Sequence, residues 1–198
     1  DVCSSDLVMS ADPRKFSEAS PIAHLSYAEV IEMAYYGAQV IHPKTIKPLQ
    51  NKNIPLYVKS FLNTDLPGTK IDNQPVKKLP PIIVHKDKQV FITFTNTDFS
   101  FMEDGPVQKL HELFALHHIK PNLSQRTAIS LLCCLDDKEE AIHQLAADAS
   151  GMFEVNIEKN LSLYTVRHYE QNVVDLLMKD KEVLVEQKTT QTIQWVCR

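Results

Sequence analysis

The sequence predicts an α+β protein, and three observations carry that expectation. Between residues 89 and 158, alternating apolar runs and helix-period apolar runs follow one another in the order βαββαβ. From residue 159 a shorter run repeats the βαββ part of that order. Ahead of both, a helix-like run reaches Gly37, breaks at "GAQVIHP" and resumes at Pro43.

The first seven residues, "DVCSSDL", lack a starting Met and any periodicity, and they match an in-frame reading of a common sequencing-library adaptor. They are expected to be an assembly artefact, outside the fold. On that expectation the chain is a fragment whose N-terminal part is missing. In "LSYAEVIEMAYYG" (25–37), Ser26 and Glu29 have capping-box spacing, and Tyr27, Val30, Ile31 and Ala34 lie on one helical face. Gly37 suits the end of that helix, since glycine adopts the left-handed conformation at low cost. Pro43 suits the first turn of a second helix, which Pro48 limits or kinks. "NIPLYVKSF" (53–61) reads as a strand with Ile54, Leu56 and Val58 on one face, and Pro67-Gly68 as a turn. The proline-bearing stretch 72–81 reads as a linker.

The regular half begins at "QVFITFTN", where Val90, Ile92 and Phe94 alternate. Gly105-Pro106 opens a helix carrying Val107, Leu110, Leu113, Phe114 and His117 on one face. "IKPNLSQ" and "TAISLLCCL" follow as strands. Asp137 and Glu140 are placed to cap a helix bearing Ile142, Leu145, Ala146 and Ala149, and "MFEVNI" closes the unit. This is the order of a ferredoxin-like module. The second run comprises "LSLYTVRHY" (161–169), a short helix around Val173 to Met178, and strands at "EVLVEQ" and "TIQWVCR". It lacks a helix and a strand to cover its sheet and fill its edge. The helix 43–52 and the strand 54–60 could supply them, which would interleave the two modules.

Composition removes several classes of function. A net charge of −4 with scattered basic residues leaves no electrostatic footprint for a nucleic acid or an anionic membrane. No apolar run approaches the roughly 20 residues of a spanning helix, no signal peptide is visible, and a cytoplasmic location is expected. The four cysteines, Cys3, Cys133, Cys134 and Cys197, form no CxxC pair. Cys133 and Cys134 are strand neighbours whose side chains face opposite ways, so they cannot grip one metal. His111, His117 and His118 have poor ligand spacing, and no metal site is expected. Walker A, GxGxxG, GxSxG and HExxH motifs are absent from the sequence. No catalytic residue is assigned.

Taken in order, "SADPRKF" (10–16), "LSYAEVIEMAYYGAQVIHPKTIKPLQNKNIPLYVKS" (25–60) and "PGTKI" (67–71) resemble the C-terminal part of an aspartate kinase followed by its pair of ACT regulatory domains. The resemblance covers residues 8–198. It implies a remnant of the α/β amino-acid-kinase domain over 8–37 and a connecting helix and strand over 38–71, which could complete the second ACT module. A linker and strand over 72–88, ACT module 1 over 89–158 and a partial ACT module 2 over 159–198 complete the division.

The resemblance also implies a function. Aspartate kinases transfer the γ-phosphoryl group of ATP, with Mg2+, to the side-chain carboxylate of L-aspartate, the first step toward lysine, threonine and methionine. ATP would be a co-substrate of the full-length enzyme, with no cofactor bound tightly. The Lys, Asp and Gly-rich elements that perform such transfer lie upstream in the family, so this piece alone is expected to be inactive. Of the nucleotide site there remain, by resemblance, Met9, Arg14, Gln39 and Val40. Gln39 stands where the family commonly has Lys, and an amide brings no positive charge to a phosphate.

The family's ACT domains pair and bind an amino-acid effector, so lysine or threonine and a homodimeric partner are expected. By alignment with the lysine-sensitive type, Ser100, Gly105, Pro106, Val107, Asn122 and Gln125 fall at effector positions. Independently, the helix opening at Gly105-Pro106 offers backbone N–H groups to a carboxylate, and Asn122 and Gln125 offer donors and acceptors. Asn122 stands where that type has Asp, which disfavours a cationic side chain there. Two alternatives are a free-standing ACT amino-acid sensor and a fusion to homoserine dehydrogenase. If Arg198 lies near the true terminus, a chain ending soon after its last strand, without a linker into a dinucleotide-binding βαβ, disfavours the fusion.

Overall fold

The structure is a computed structural model that describes residues 7–38, 40–60, 65 and 67–198. Its elements are β1 (His24–Ser26), α1 (Tyr27–Tyr35), α2 (Pro43–Asn51), β2 (Leu56–Val58), β3 (Thr69–Asp72), β4 (Ile82–Asn96), α3 (Asp104–Leu116), β5 (Leu123–Arg126), β6 (Ser130–Asp136), α4 (Glu139–Ala149), β7 (Phe153–Arg167), α5 (Gln171–Met178), β8 (Val183–Lys188) and β9 (Thr192–Cys197). The expected α+β class holds. A three-stranded sheet has the order β1-β3-β2 and a six-stranded sheet the order β5-β6-β4-β7-β9-β8. The chain forms two compact units, one of residues 1–85, 164–180 and 186–194, the other of 86–163, 181–185 and 195–198.

In the first unit, Ser26 caps α1, its Oγ accepting the Glu29 N–H at 3.1 Å. The residues before it do not join the helix. They form β1, parallel to β3, with Leu25 opposite Ile71 and both fully buried. β1 and β3 escape sequence reading because strands of three and four residues give too short an alternation. α2 starts at Pro43, with the His42 side chain accepting the Lys44 N–H, and runs past Pro48 to Asn51. β2 is antiparallel to β3. At Gly68, φ is +74° and an added Cβ would lie 2.5 Å from the Val58 carbonyl oxygen, so that turn requires glycine. Leu25, Tyr27, Val30, Met33, Ile46 and Ile71 form the buried centre of this unit.

The place of β2 corrects the expected interleaving. β2 pairs with β3 in the three-stranded sheet and does not join the strands of the second run. The strand expected within 72–88 is the start of β4, joined without a break to the strand read from 89. It begins at Ile82, and Ile82 to His85 fall in the same unit as 164–180. There the His85 ring stacks on Tyr164, centroids 4.3 Å apart. Likewise "MFEVNI" and "LSLYTVRHY" are one strand, β7. The polar stretch Glu158-Lys159-Asn160 imitated a break, yet the strand runs through it, with Asn160 at φ +61°.

The second unit contains β4 from Lys86, α3, β5, β6, α4 and β7 up to Leu163, the βαββαβ order read from the sequence. Its sheet is apolar on both faces. Ile92, Phe94, Cys133 and Leu135 pack against Leu110 and Phe114 of α3 and Ile142, Leu145 and Ala149 of α4. Phe91, Cys134, Leu161, Leu163, Val185 and Val196 form a separate cluster. Cys133 and Cys134 therefore do point to opposite faces, and burial pushes both thiols up to about 12. One helix cap differs from expectation. The N-cap of α4 is Lys138, without a side-chain cap bond, because the Asp137 N–H donates to the Lys88 carbonyl at 2.9 Å and so belongs to the strand end.

Candidate functional site

The residues expected at the effector site separate into two places within the second unit. Ser100 sits in the loop between β4 and α3. Asn96 Nδ2 fixes this loop by donating to the Ser100 carbonyl (2.9 Å), the Ser100 Oγ (3.2 Å) and the Phe101 carbonyl (3.2 Å). Asp98 accepts the Ser100 N–H at 3.0 Å, and hydrogen bonds from Ser100 hold its carboxyl below the ordinary range. The Met102 N–H donates to Ala128 O at 2.7 Å, tying the loop to the β5–β6 turn. Gly105, Pro106 and Val107 form the first turn of α3. Glu103, its N-cap, makes no side-chain cap bond, and Pro106 brings no N–H.

Around this turn lie two open hollows. One is lined by Met102, Glu103, Asp104, Gly105 and Arg126. The other includes Asn96, Asp98, Ser100, Pro106, Lys109 and Phe153. Arg126 is the functional candidate that sequence reading missed. Its Nη1 stands 3.5 Å from Asp104 Oδ1, so a guanidinium reaches the helix N-terminus. Gln125 does not. The pairing Leu123↔Cys134, Gln125↔Leu132 places Gln125 on the same face as Leu123, whereas Arg126↔Leu131 turns toward the helices. The missed signal was strand parity: knowing that Leu123 is buried with Cys134 puts residue 126, not 125, on the α3 side.

Asn122 lies elsewhere. Its N–H donates to Cys134 O at 2.8 Å. Its amide donates to Gln89 Oε1 (2.9 Å) and Asp136 Oδ1 (2.8 Å) and accepts from Lys86 Nζ (2.8 Å). Gln89 opposes Asp136 at the far end of the β4–β6 ladder from Thr95 and Ser130, six residues or roughly 20 Å along the strand. A single copy of the chain thus brings Ser100, Gly105, Pro106 and Val107 together and keeps Asn122 apart. Asp136 feels the cost of burial, which raises a carboxyl, yet Gln89, Asn122 and Lys86 outweigh it and the net shift is downward.

Of the residues expected on the nucleotide side, Met9, Arg14 and Val40 belong to the first unit. Met9 bridges antiparallel to Pro21. Arg14 is exposed and paired with Asp12, Nε to Oδ1 at 3.0 Å and Nη2 to Oδ2 at 2.8 Å, and that hydrogen-bonded pair holds Asp12 at about 2. A phosphate here would share or displace an existing carboxylate partner. Val40 packs against the core cluster that includes Val8. Gln39 lies outside the described residues. No group of metal-ligating side chains occurs among the described residues, and none of their helices is long and apolar enough to cross a membrane.

One ionic cluster was not foreseen. Arg167, at the end of β7, forms a bidentate pair with Glu29 of α1, Nε to Oε1 at 2.6 Å and Nη2 to Oε2 at 2.9 Å. Its Nη1 also donates to Thr192 Oγ1 at 2.9 Å and Glu32 Oε2 at 3.3 Å, and His168 Nε2 stands 3.1 Å from Glu29 Oε2. Glu29 and Arg167 are both buried. Burial alone would raise the Glu29 carboxyl, but Arg167 and His168 hold it below the ordinary value. Sequence spacing suggested instead that Glu29 returns to the Ser26 N–H; the guanidinium, 138 positions away, takes the carboxylate.

The amino acid kinase family matches residues 2–60. The bifunctional aspartokinase/homoserine dehydrogenase 1, chloroplastic, of Zea mays is 51% identical over 73 residues, covering 37% of this chain and 8% of that protein. Aspartokinase 3, chloroplastic, of Arabidopsis thaliana is 28% identical over 174 residues, 87% of this chain and 31% of that protein. The chain thus spans less than a third of these relatives. Among solved structures, E. coli aspartokinase III in complex with aspartate and ADP superposes with a TM-score of 0.80 at 21% identity, over 98% of this chain and 47% of that one. The same enzyme in complex with lysine and aspartate gives 0.77 at 21% identity, over 97% and 46%. At such identity the likeness establishes the fold.

Proposed function

We propose that the chain is the feedback-controlled regulatory portion of an aspartokinase, an enzyme that phosphorylates the side-chain carboxylate of L-aspartate with ATP and Mg2+. The control ligand is a pathway amino acid, lysine or threonine, held on the second unit. The observation that carries this reading is the first turn of α3, where an uncapped helix N-terminus and the Arg126 guanidinium face one hollow. Backbone N–H groups and a guanidinium suit an α-carboxylate, and the Ser100 loop borders the same turn. The lysine-bound complex of E. coli aspartokinase III supports an amino acid as the ligand class.

A homodimer would bring a second sheet to this site, and Asn122 and Gln125, which stand away from α3 in one copy, would contribute across that interface. Met9, Arg14, Gln39 and Val40 would hold one side of the nucleotide in the complete enzyme. These 198 residues lack a phosphate-cradling segment, so the polypeptide alone turns over no ATP with aspartate. Calorimetric titration of the purified chain with lysine and with threonine tests the proposal. It predicts saturable heat with one of them. No binding of either, in protein shown by light scattering to be dimeric, would reject it.

A further inference from the structure

The nucleotide-side segments are fastened to the strands of the six-stranded sheet at two points, both inside the first unit. At the first point, the loop with Met9 and Arg14 meets the start of β4. The Ile83 N–H donates to Ser10 O at 2.7 Å, Lys15 Nζ lies 3.0 Å from His85 Nδ1, and Phe16 packs edge-on to the His85 ring, which stacks on Tyr164. At the second point, α1 meets the ends of β7 and β9 through Glu29, Glu32, Arg167 and Thr192. Only the second point is a buried charge pair. The same helix leads directly into Gly37 and Ala38: the Gly37 N–H donates to Ala34 O at 3.1 Å and the Ala38 N–H to Met33 O at 2.9 Å.

We propose that Arg167 is a positioning residue, which sets the turn at Gly37 and Ala38 by fixing the azimuth and height of α1 against the β7–β9 strand ends. This deepens the function proposed above and rests on its assignment of that turn to the nucleotide side. The geometry is specific to a guanidinium. Glu29 and Glu32 are three residues apart on one face of α1, and a planar fork can reach both carboxylates while its remaining donor meets Thr192. A lysine ammonium cannot reproduce two parallel hydrogen bonds to one carboxylate. The backbone just beyond is held as well, for His168 has φ near +50° and its N–H donates to Gln191 O at 2.7 Å. From Glu29 to its end at Tyr35 the helix spans roughly 9 Å, one short rigid rod. A displacement of the strand ends therefore arrives at the turn undiminished.

Hydrogen–deuterium exchange on the whole chain, without ligand, tests this independently of effector or nucleotide binding. In Arg167→Met the Gly37 and Ala38 amides are expected to exchange about tenfold faster or more, with Leu110, Phe114 and Leu145 amides in the second unit unchanged, as for a local opening. Arg167→Lys should show the same pattern at smaller amplitude. Should Arg167→Met fail to fold, the pair Glu29→Met with Arg167→Met leaves neither charge of that buried pair without its partner and carries the same expectation at Gly37 and Ala38. Unchanged protection of those two amides in the double variant overturns the proposal. So does loosening spread equally over both units in either variant. Failure of calorimetric binding with this exchange pattern intact would reject the effector site and leave the positioning role standing.

Discussion

Arg167 donates two near-parallel hydrogen bonds to Glu29, 2.6 and 2.9 Å long, at a site where both side chains are less than a tenth exposed. Neither charge has water to turn to if its partner is removed. Arg167→Ala is therefore expected to destabilise the first unit by about 3–5 kcal/mol, the cost of stranding a buried carboxylate. Glu32→Gln, whose carboxylate is half exposed and only the third partner, should cost about 1 kcal/mol or less. Urea denaturation followed by far-UV circular dichroism measures both.

The same pair gives the unit an acid limit. The folded Glu29 carboxyl lies below its ordinary 4.5, since Arg167 and His168 outweigh the effect of burial. A depressed carboxyl contributes stability that is fully present above 4.5 and is lost as pH falls through the folded value. Melting temperature should thus fall steadily on acidification from pH 5, and the slope should be shallower in the Glu29→Met, Arg167→Met double variant. An equal slope in both would assign the acid sensitivity to other carboxylates.

Gly68 offers a prediction about the turn that leads into β3. Gly68→Ala would hold a Cβ at φ +74° and press it 2.5 Å from the Val58 carbonyl, so a loss of about 1–3 kcal/mol is expected. Gly105→Ala and Gly151→Ala meet nothing within 4 Å and should change stability by less than about 0.5 kcal/mol. Thermal melts of the three variants compare them directly.

Long strands and helices with dense periodicity were legible in the sequence, and short or shared ones were not. Val90, Ile92 and Phe94 gave the second half of β4, whereas the strand at Ile82 to His85 came only from the family resemblance, and its continuity with the strand from 89 was not visible. β7 was divided in two because Glu158, Lys159 and Asn160 look like a loop, although a strand between two neighbours tolerates polar residues. In the candidate site, the α3 turn was legible from Gly105-Pro106. Arg126 was not, because the face of a four-residue strand depends on its pairing with β6 rather than on its own letters. The Glu29–Arg167 pair left no local signal at all, as its partners meet only after the chain has folded.

The effector site is tested most directly by thermal unfolding of the parent chain and of Arg126→Ala, with and without lysine or threonine. A ligand that binds only the folded state raises stability by RT ln(1 + [L]/Kd), about 2.7 kcal/mol at a hundredfold excess over Kd. The expected result is a clear rise in melting temperature with one of the two amino acids, reduced by at least half in Arg126→Ala while the unliganded melting temperature of that variant stays within about 2 °C of the parent, as for an exposed side chain. A rise that is identical in the parent and in Arg126→Ala would place the ligand elsewhere, and no rise with either amino acid would contradict the regulatory reading itself.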